Sequence, residues 1–174
     1  MIGENKMNTI TEDLTITPGK YYIGDPCYIW PDDKWDEFCN ELDYGNGQIL
    51  EFEGKGLYVF STAFGDGVYD LIQNDLKIRY LSVDAGLLSI IPLDLIESMP
   101  NHKLEGIRTE TYYKIIEITE DIKINEVGKG HIKFGEYSIN TDECIYDGEY
   151  DGEYDEELDW EESLKDLEDL DEEE

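Results

Sequence analysis

Basic side chains are scarce in this chain: 13 Lys/Arg stand against 44 Asp/Glu in 174 residues, a formal net charge of −31. Non-specific affinity for nucleic acid comes from Lys and Arg displacing counterions from phosphates, so direct nucleic-acid binding is not expected. Anionic membrane surfaces are disfavoured for the same reason. Cysteine is sparse too. Cys27, Cys39 and Cys144 are odd in number, widely spaced and in no CxxC arrangement, which argues against a disulfide framework and a zinc site and favours a reducing cytoplasm. The only histidines are His102 and His131, and neither stands in a recognisable nucleophile–base pattern with Cys27. HExxH and GxSxG are missing, and Gly54-Lys55-Gly56 lacks the flanks of a phosphate loop. The sequence therefore points away from an enzyme and calls for no cofactor. No run approaches the roughly 18–20 apolar residues of a membrane span. The opening MIGENKMNTITEDL has no basic stretch ahead of an apolar one, so no signal peptide is expected.

What is abundant is negative charge, and it is unevenly placed. Residues 142–174 hold 19 of the acidic residues and one basic one, Lys165, a net −18; the first 141 residues carry 25 acids against 12 bases, a net −13. A block of like charge cannot bury enough apolar surface to offset its self-repulsion and ordering entropy. The expected organisation is a flexible arm over 1–12, one domain over 13–141 and a disordered acidic tail over 142–174. As a polyanion the tail is weaker than duplex DNA, which presents one charge per about 1.7 Å of axis. Extended, it offers about one per 6 Å, and helical about one per 3 Å. Tyr150, Tyr154 and Trp160 could add apolar anchors for a basic partner. Asp147-x-Glu149-x-Asp151-Gly152 imitates half of an EF-hand loop, but Leu158 stands where the bidentate Glu belongs.

Within the domain, periodicity predicts an α+β fold that is mostly antiparallel sheet. Trp35, Phe38, Cys39 and Leu42 recur at helical spacing behind Pro31-Asp32-Asp33, which predicts an amphipathic helix over about 33–44 with Asp33 as its cap and Gly45 as its stop. Pro92 and LDLIES predict a short helical turn over about 93–98. The segments LTIT, KYYIG, QILEFEG, GLYVFSTA, GVYDLI, KIRYLSV, LLSIIP, TYYKIIEI, DIKINEV and HIKFGEYSI read as strands, with turn chemistry at Asn74-Asp75, Gly128-Lys129-Gly130 and Gly135. Val59, Phe60, Val68, Leu71, Ile78, Leu81, Val83, Leu88, Ile90 and Ile91 are the expected core. Apolar residues at consecutive positions there predict strands covered on both faces.

Three clusters place Asp beside Gly or Pro: Gly24-Asp25-Pro26-Cys27-Tyr28, Gly65-Asp66-Gly67-Val68-Tyr69 and Val83-Asp84-Ala85-Gly86. Tight turns need these residues anyway, since Gly supplies positive φ and Asp bonds local backbone. The sharper reading is that Asp25, Asp66 and Asp84 meet at one edge of the sheet, with Cys27, Tyr28 and Tyr69 lining a small-ligand or divalent-metal site. In carrying GDPCY, GDGxY and VDxG in this order, residues 19–97 resemble a family of small bacteriophage and bacterial proteins of uncharacterised activity. The resemblance implies an intracellular, phage-encoded or bacterial protein and assigns it no chemistry.

Two functions follow as expectations. The first is a non-enzymatic cytoplasmic binding protein, a phage accessory or inhibitory factor that engages a basic host protein. The alternative is a ligand-sequestering module or hydrolase built on the turn carboxylates.

Overall fold

The structure is a computed structural model that describes residues 14–42, 48–52, 55–107 and 112–145. The arm over 1–12 and Tyr150, Tyr154 and Trp160 lie outside the described residues, as does most of the acidic segment. Among the described residues eleven strands form two antiparallel sheets. In chain order they are β1 (Leu14–Ile16), β2 (Gly19–Gly24), β3 (Gln48–Phe52), β4 (Lys55–Ser61), β5 (Gly67–Gln73), β6 (Leu76–Val83), β7 (Leu87–Pro92), β8 (Tyr113–Ile118), β9 (Ile122–Gly128), β10 (His131–Phe134) and β11 (Tyr137–Asn140). One sheet runs β1-β9-β10-β11-β5-β6 and the other β3-β4-β7-β2-β8. Helices α1 (Asp32–Glu41) and α2 (Leu93–Ser98) complete the α+β architecture.

Side-chain alternation explains the layering. Along β2, Tyr21 and Ile23 enter a core shared by the two sheets while Tyr22 enters a second core under the helices. β4 does the same, with Tyr58 and Phe60 on one side and Leu57 and Val59 on the other. The five-stranded sheet is thus covered on both faces, which is why its strands read as continuous apolar runs. The six-stranded sheet alternates instead: Tyr69 and Leu71 are buried, and Val68 and Asp70 between them are half-buried on the other face. Val68, an expected core residue, is therefore only partly covered, and Ile78 packs on the margin of the inter-sheet core.

Asn74 (φ 50°) and Asp75 (φ 63°) make the two-residue turn joining β5 to β6 with both residues left-handed, as a tight hairpin demands. α1 begins earlier than its sequence suggests. Pro31 occupies the N-cap position, and its carbonyl accepts from the Trp35 N–H at 2.8 Å. Asp33 is therefore not the cap. It lies with Asp32 in the first turn, where a carboxylate still complements the exposed N–H groups. The helix ends at Glu41 rather than 44, with the Leu42 N–H closing on the Cys39 carbonyl; Gly45 lies outside the described residues. Phe38 is its buried residue, packed between Trp30 and Trp35 with ring centroids 5.3 and 5.5 Å away. Trp30, not Trp35, is the fully enclosed tryptophan.

Candidate functional site

The strand directions bring five connections to one end of the sandwich: the turn after β2, the β4–β5 loop, the β6–β7 turn, the β9–β10 turn and the chain leaving β11. Loops displayed on a rigid sheet are where binding groups usually sit. Here their backbones are tied down from within. Among the described residues the buried polar or charged side chains are Asp25, Thr62, Ser89 and Thr141, and all four bond to backbone at this end.

Asp25 caps a 3₁₀ turn over Pro26–Tyr28, accepting the Cys27 N–H on Oδ1 at 2.8 Å. Its Oδ2 accepts the N–H groups of Asp84 (2.7 Å) and Ala85 (2.8 Å), so one carboxylate joins the first turn to the β6–β7 turn. Burial pushes its pKa up against the three amides that lower it. Nearby, the Ser89 hydroxyl donates to the Gly24 carbonyl at 2.8 Å and the Tyr22 hydroxyl to the Asp25 carbonyl at 2.8 Å. Thr62 clamps the next loop. Its Oγ1 donates to the Gly65 carbonyl at 2.6 Å and accepts the Gly65 N–H at 3.1 Å, and its own N–H reaches the Gly86 carbonyl at 2.9 Å. Thr141 fixes a third junction by donating from Oγ1 to the Gly130 carbonyl (2.6 Å) and accepting from the Ala63 N–H (2.9 Å).

Beyond Thr141 the chain is tied back to β5 through Cys144 and Ile145. The Val68 N–H donates to Cys144 Sγ at 3.3 Å, and the Ile145 N–H returns to the Val68 carbonyl at 2.9 Å. A Cβ on Gly67 would lie 2.6 Å from that sulfur, which explains the glycine without invoking a ligand.

The six residues singled out in the sequence converge only in part. Asp25 and Tyr69 face inward: the carboxylate is occupied by amides, and Tyr69 is buried with its hydroxyl donating to the Gly65 carbonyl at 2.6 Å. Asp66 and Asp84 are exposed. Cys27 and Tyr28 are half-buried between them, and Tyr28 meets Tyr112 edge-on at 4.8 Å. Burial first, then the negative charges of Asp25, Asp84 and Asp66, hold the Cys27 thiol far above the ordinary thiol range. Tyr28 is raised by burial and by the nearby Asp84 carboxylate, although no normal hydrogen bond reaches its enclosed hydroxyl oxygen. A thiol so protonated is a poor nucleophile and metal ligand. Among the described residues, no group of three or more His, Cys, Asp or Glu is arranged to hold a metal ion.

Thr62, Ser89, Thr141 and Cys144 carry much of this end, and sequence reasoning does not find them. Thr141 meets Ala63 across 78 residues, and no local spacing marks such a partnership. At the opposite end lies a groove of about 620 Å³, lined by Ile16, Tyr21, Leu57 and Tyr58 with Lys20 and Lys55 at its polar side. Lys55 is paired there with Asp94.

The fold and site together define a two-sheet sandwich with a helical outer layer and a braced, acidic loop end. The chain matches no protein-family profile, no curated protein and no solved structure. No helix among the described residues is long and apolar enough to cross a membrane.

Proposed function

We propose that this protein is a non-enzymatic binding protein that engages a basic protein through its acidic surface and C-terminal segment. The observation that carries this reading is the charge of −31, concentrated as 19 acids in the last 33 residues. The site chemistry supports it. Asp25 is occupied by backbone amides and burial keeps the Cys27 thiol protonated, so neither is offered as a base or a nucleophile. In the setting implied by the phage-like motifs, the protein acts in the cytoplasm as an accessory or inhibitory factor, occupying the nucleic-acid site of a host protein.

The test is kinetic. A basic host protein captured on the full-length chain is measured at rising salt. Charge-driven association predicts an on-rate that falls steeply beyond physiological ionic strength, where the Debye length is about 8 Å, with a smaller change in off-rate. Changing Tyr150, Tyr154 and Trp160 to Ser should mainly speed dissociation. Binding that ignores salt and survives removal of residues 146–174 would defeat this reading.

The alternative, a divalent-ion or small-ligand module, draws on the placing of Asp25, Asp66 and Asp84 at one end of the sandwich. Calorimetry decides it. Saturable Mg²⁺ or Ca²⁺ binding, lost in the variant Asp25→Asn, Asp66→Asn, Asp84→Asn while its fold persists, would displace the binding-protein reading.

A further inference from the structure

We propose that the loop end of the folded body is a docking surface for a basic, amphipathic segment of the partner, with Phe64, Val127 and Ile145 as its apolar anchors. This rests on the reading that the partner is basic, and it assigns to the body the half of the interface that charge alone does not supply.

The large apolar side chains exposed among the described residues are Phe64 (57%), Leu76 (70%), Tyr80 (45%), Val127 (57%) and Ile145 (39%). Three of the five belong to the loop end. The Phe64 N–H donates to the Thr141 carbonyl at 3.1 Å, and the Thr141 N–H to the Gly130 carbonyl at 2.9 Å. Val127 lies one residue before Gly128, which pairs with His131 at the same end. Ile145 is anchored to Val68, the second residue of β5, where the β4–β5 loop that carries Phe64 enters the sheet. Leu76 and Tyr80 sit apart on β6, where Lys77 lies 5.1 Å from the centre of the Tyr80 ring.

Bracing makes this exposure informative. The clamps of Thr62 and Thr141 hold the backbone that carries Phe64, so this anchor is presented with little backbone ordering cost on binding. Exposed Asp66, Asp84, Asp142 and Glu143 stand at the same end, against the cation of Lys129. The complementary surface is therefore apolar side chains flanked by Lys or Arg. A second copy of this chain, itself at −31, is the wrong occupant. The anchors also run directly into the acidic segment, since residue 146 follows Ile145. Long-range attraction by that segment raises the encounter rate, and desolvated apolar contacts set the residence time.

The test uses the full chain and two synthetic peptides with the same Lys and Arg content. One carries Leu and Trp between the basic residues, and the other carries Ser in their place. At about 0.15 M salt the Leu/Trp peptide should bind at least about tenfold more tightly, through a slower off-rate. The variant Phe64→Ser, Val127→Ser, Ile145→Ser should erase that preference and leave the on-rate within about twofold. Phe64→Ser alone should remove part of it, which keeps the test intact if the triple variant melts early. Equal, salt-sensitive binding of both peptides would overturn the docking surface and leave the basic-partner reading standing. A preference that survives the Ser variants but disappears on removing residues 146–174 would overturn it likewise. Binding of neither peptide would overturn both.

Discussion

Asp25 holds Asp84 by its backbone rather than by its side chain: Oδ2 of the first accepts the N–H of the second at 2.7 Å, across 59 residues of sequence. With the amides of Cys27 and Ala85, three donors converge on one buried carboxylate. Asp25→Ala should leave all three without an acceptor and cost about 2–4 kcal/mol, read as a lower urea midpoint. Asp25→Asn should lie between variant and parent, because its amide keeps one carbonyl acceptor but presents an NH₂ to the remaining donors. If the Ala variant unfolds with the parent's midpoint, the clamp contributes nothing.

Gly130 is the most constrained turn residue in the loop end. Its φ is +69°, and a Cβ there would lie 2.2 Å from Thr141 Oγ1 and 2.6 Å from the Ala63 nitrogen. Gly130→Ala should destabilise by more than about 2 kcal/mol, through backbone strain and the broken Thr141 junction. Gly106→Ala is the control, since nothing lies within 4 Å of its added carbon. Equal melting temperatures for the two variants would contradict the packing described around Thr141.

Cys27, Tyr28 and Tyr22 are all held above their usual values of 9.0 for a thiol and 10.0 for a phenol, with burial as the first cause. The fold keeps protons that the unfolded chain releases, so the stability these groups contribute is intact below pH 9 and is lost as pH rises through the alkaline range. The urea midpoint should be flat from about pH 7 to 8.5 and fall by about pH 10.5. Alkylation followed by mass spectrometry at about pH 8 should find Cys27 more than about tenfold slower than free cysteine. Rapid labelling of Cys27 in the folded protein would show that its surroundings are wetter than described.

Truncation tests the bonds that Cys144 and Ile145 make to β5. Ending the chain after Thr141 removes the Cys144 and Ile145 contacts with Val68, whereas ending it after Ile145 keeps them. The shorter form should be less stable than the longer by about 1–3 kcal/mol, measured by chemical denaturation. Indistinguishable stabilities would mean that residues 142–145 only decorate the sheet.

The fold was legible where one local rule decides the outcome. Trp35, Phe38 and Cys39 share a helical stripe because 3.6-residue periodicity brings them to one face, and Asn74-Asp75 tolerate the left-handed backbone of a two-residue turn. The start of α1 is hidden in the sequence because Asp33 looks like a cap, while Pro31 opens the helix with its carbonyl alone. The candidate site was legible in half. Asp-Gly and Asp-Pro dipeptides mark turns, and those turns do gather at one end. Nothing local distinguishes Asp25, which disappears into three amides, from Asp66 and Asp84, which remain in water. Thr62 and Thr141 look like ordinary strand-end threonines, since their partners are set by tertiary pairing.

The register of the sheets also dictates when the molecule can fold. Among the described residues β1 pairs with β9, Leu14 opposite Ile124, and β2 lies between β7 and β8, with Tyr21 opposite Pro92 and Gly19 opposite Ile118. Both strands thus leave the ribosome ahead of partners about 65–110 residues downstream, a wait on the order of 3–20 s at usual synthesis rates. Closing such long loops is slow because their entropy is lost before any contact compensates for it. Until β7 and then β8 are made, Tyr21, Tyr22 and Ile23 lack the neighbours that cover them on both faces, and an apolar strand with open edges is one that can pair wrongly.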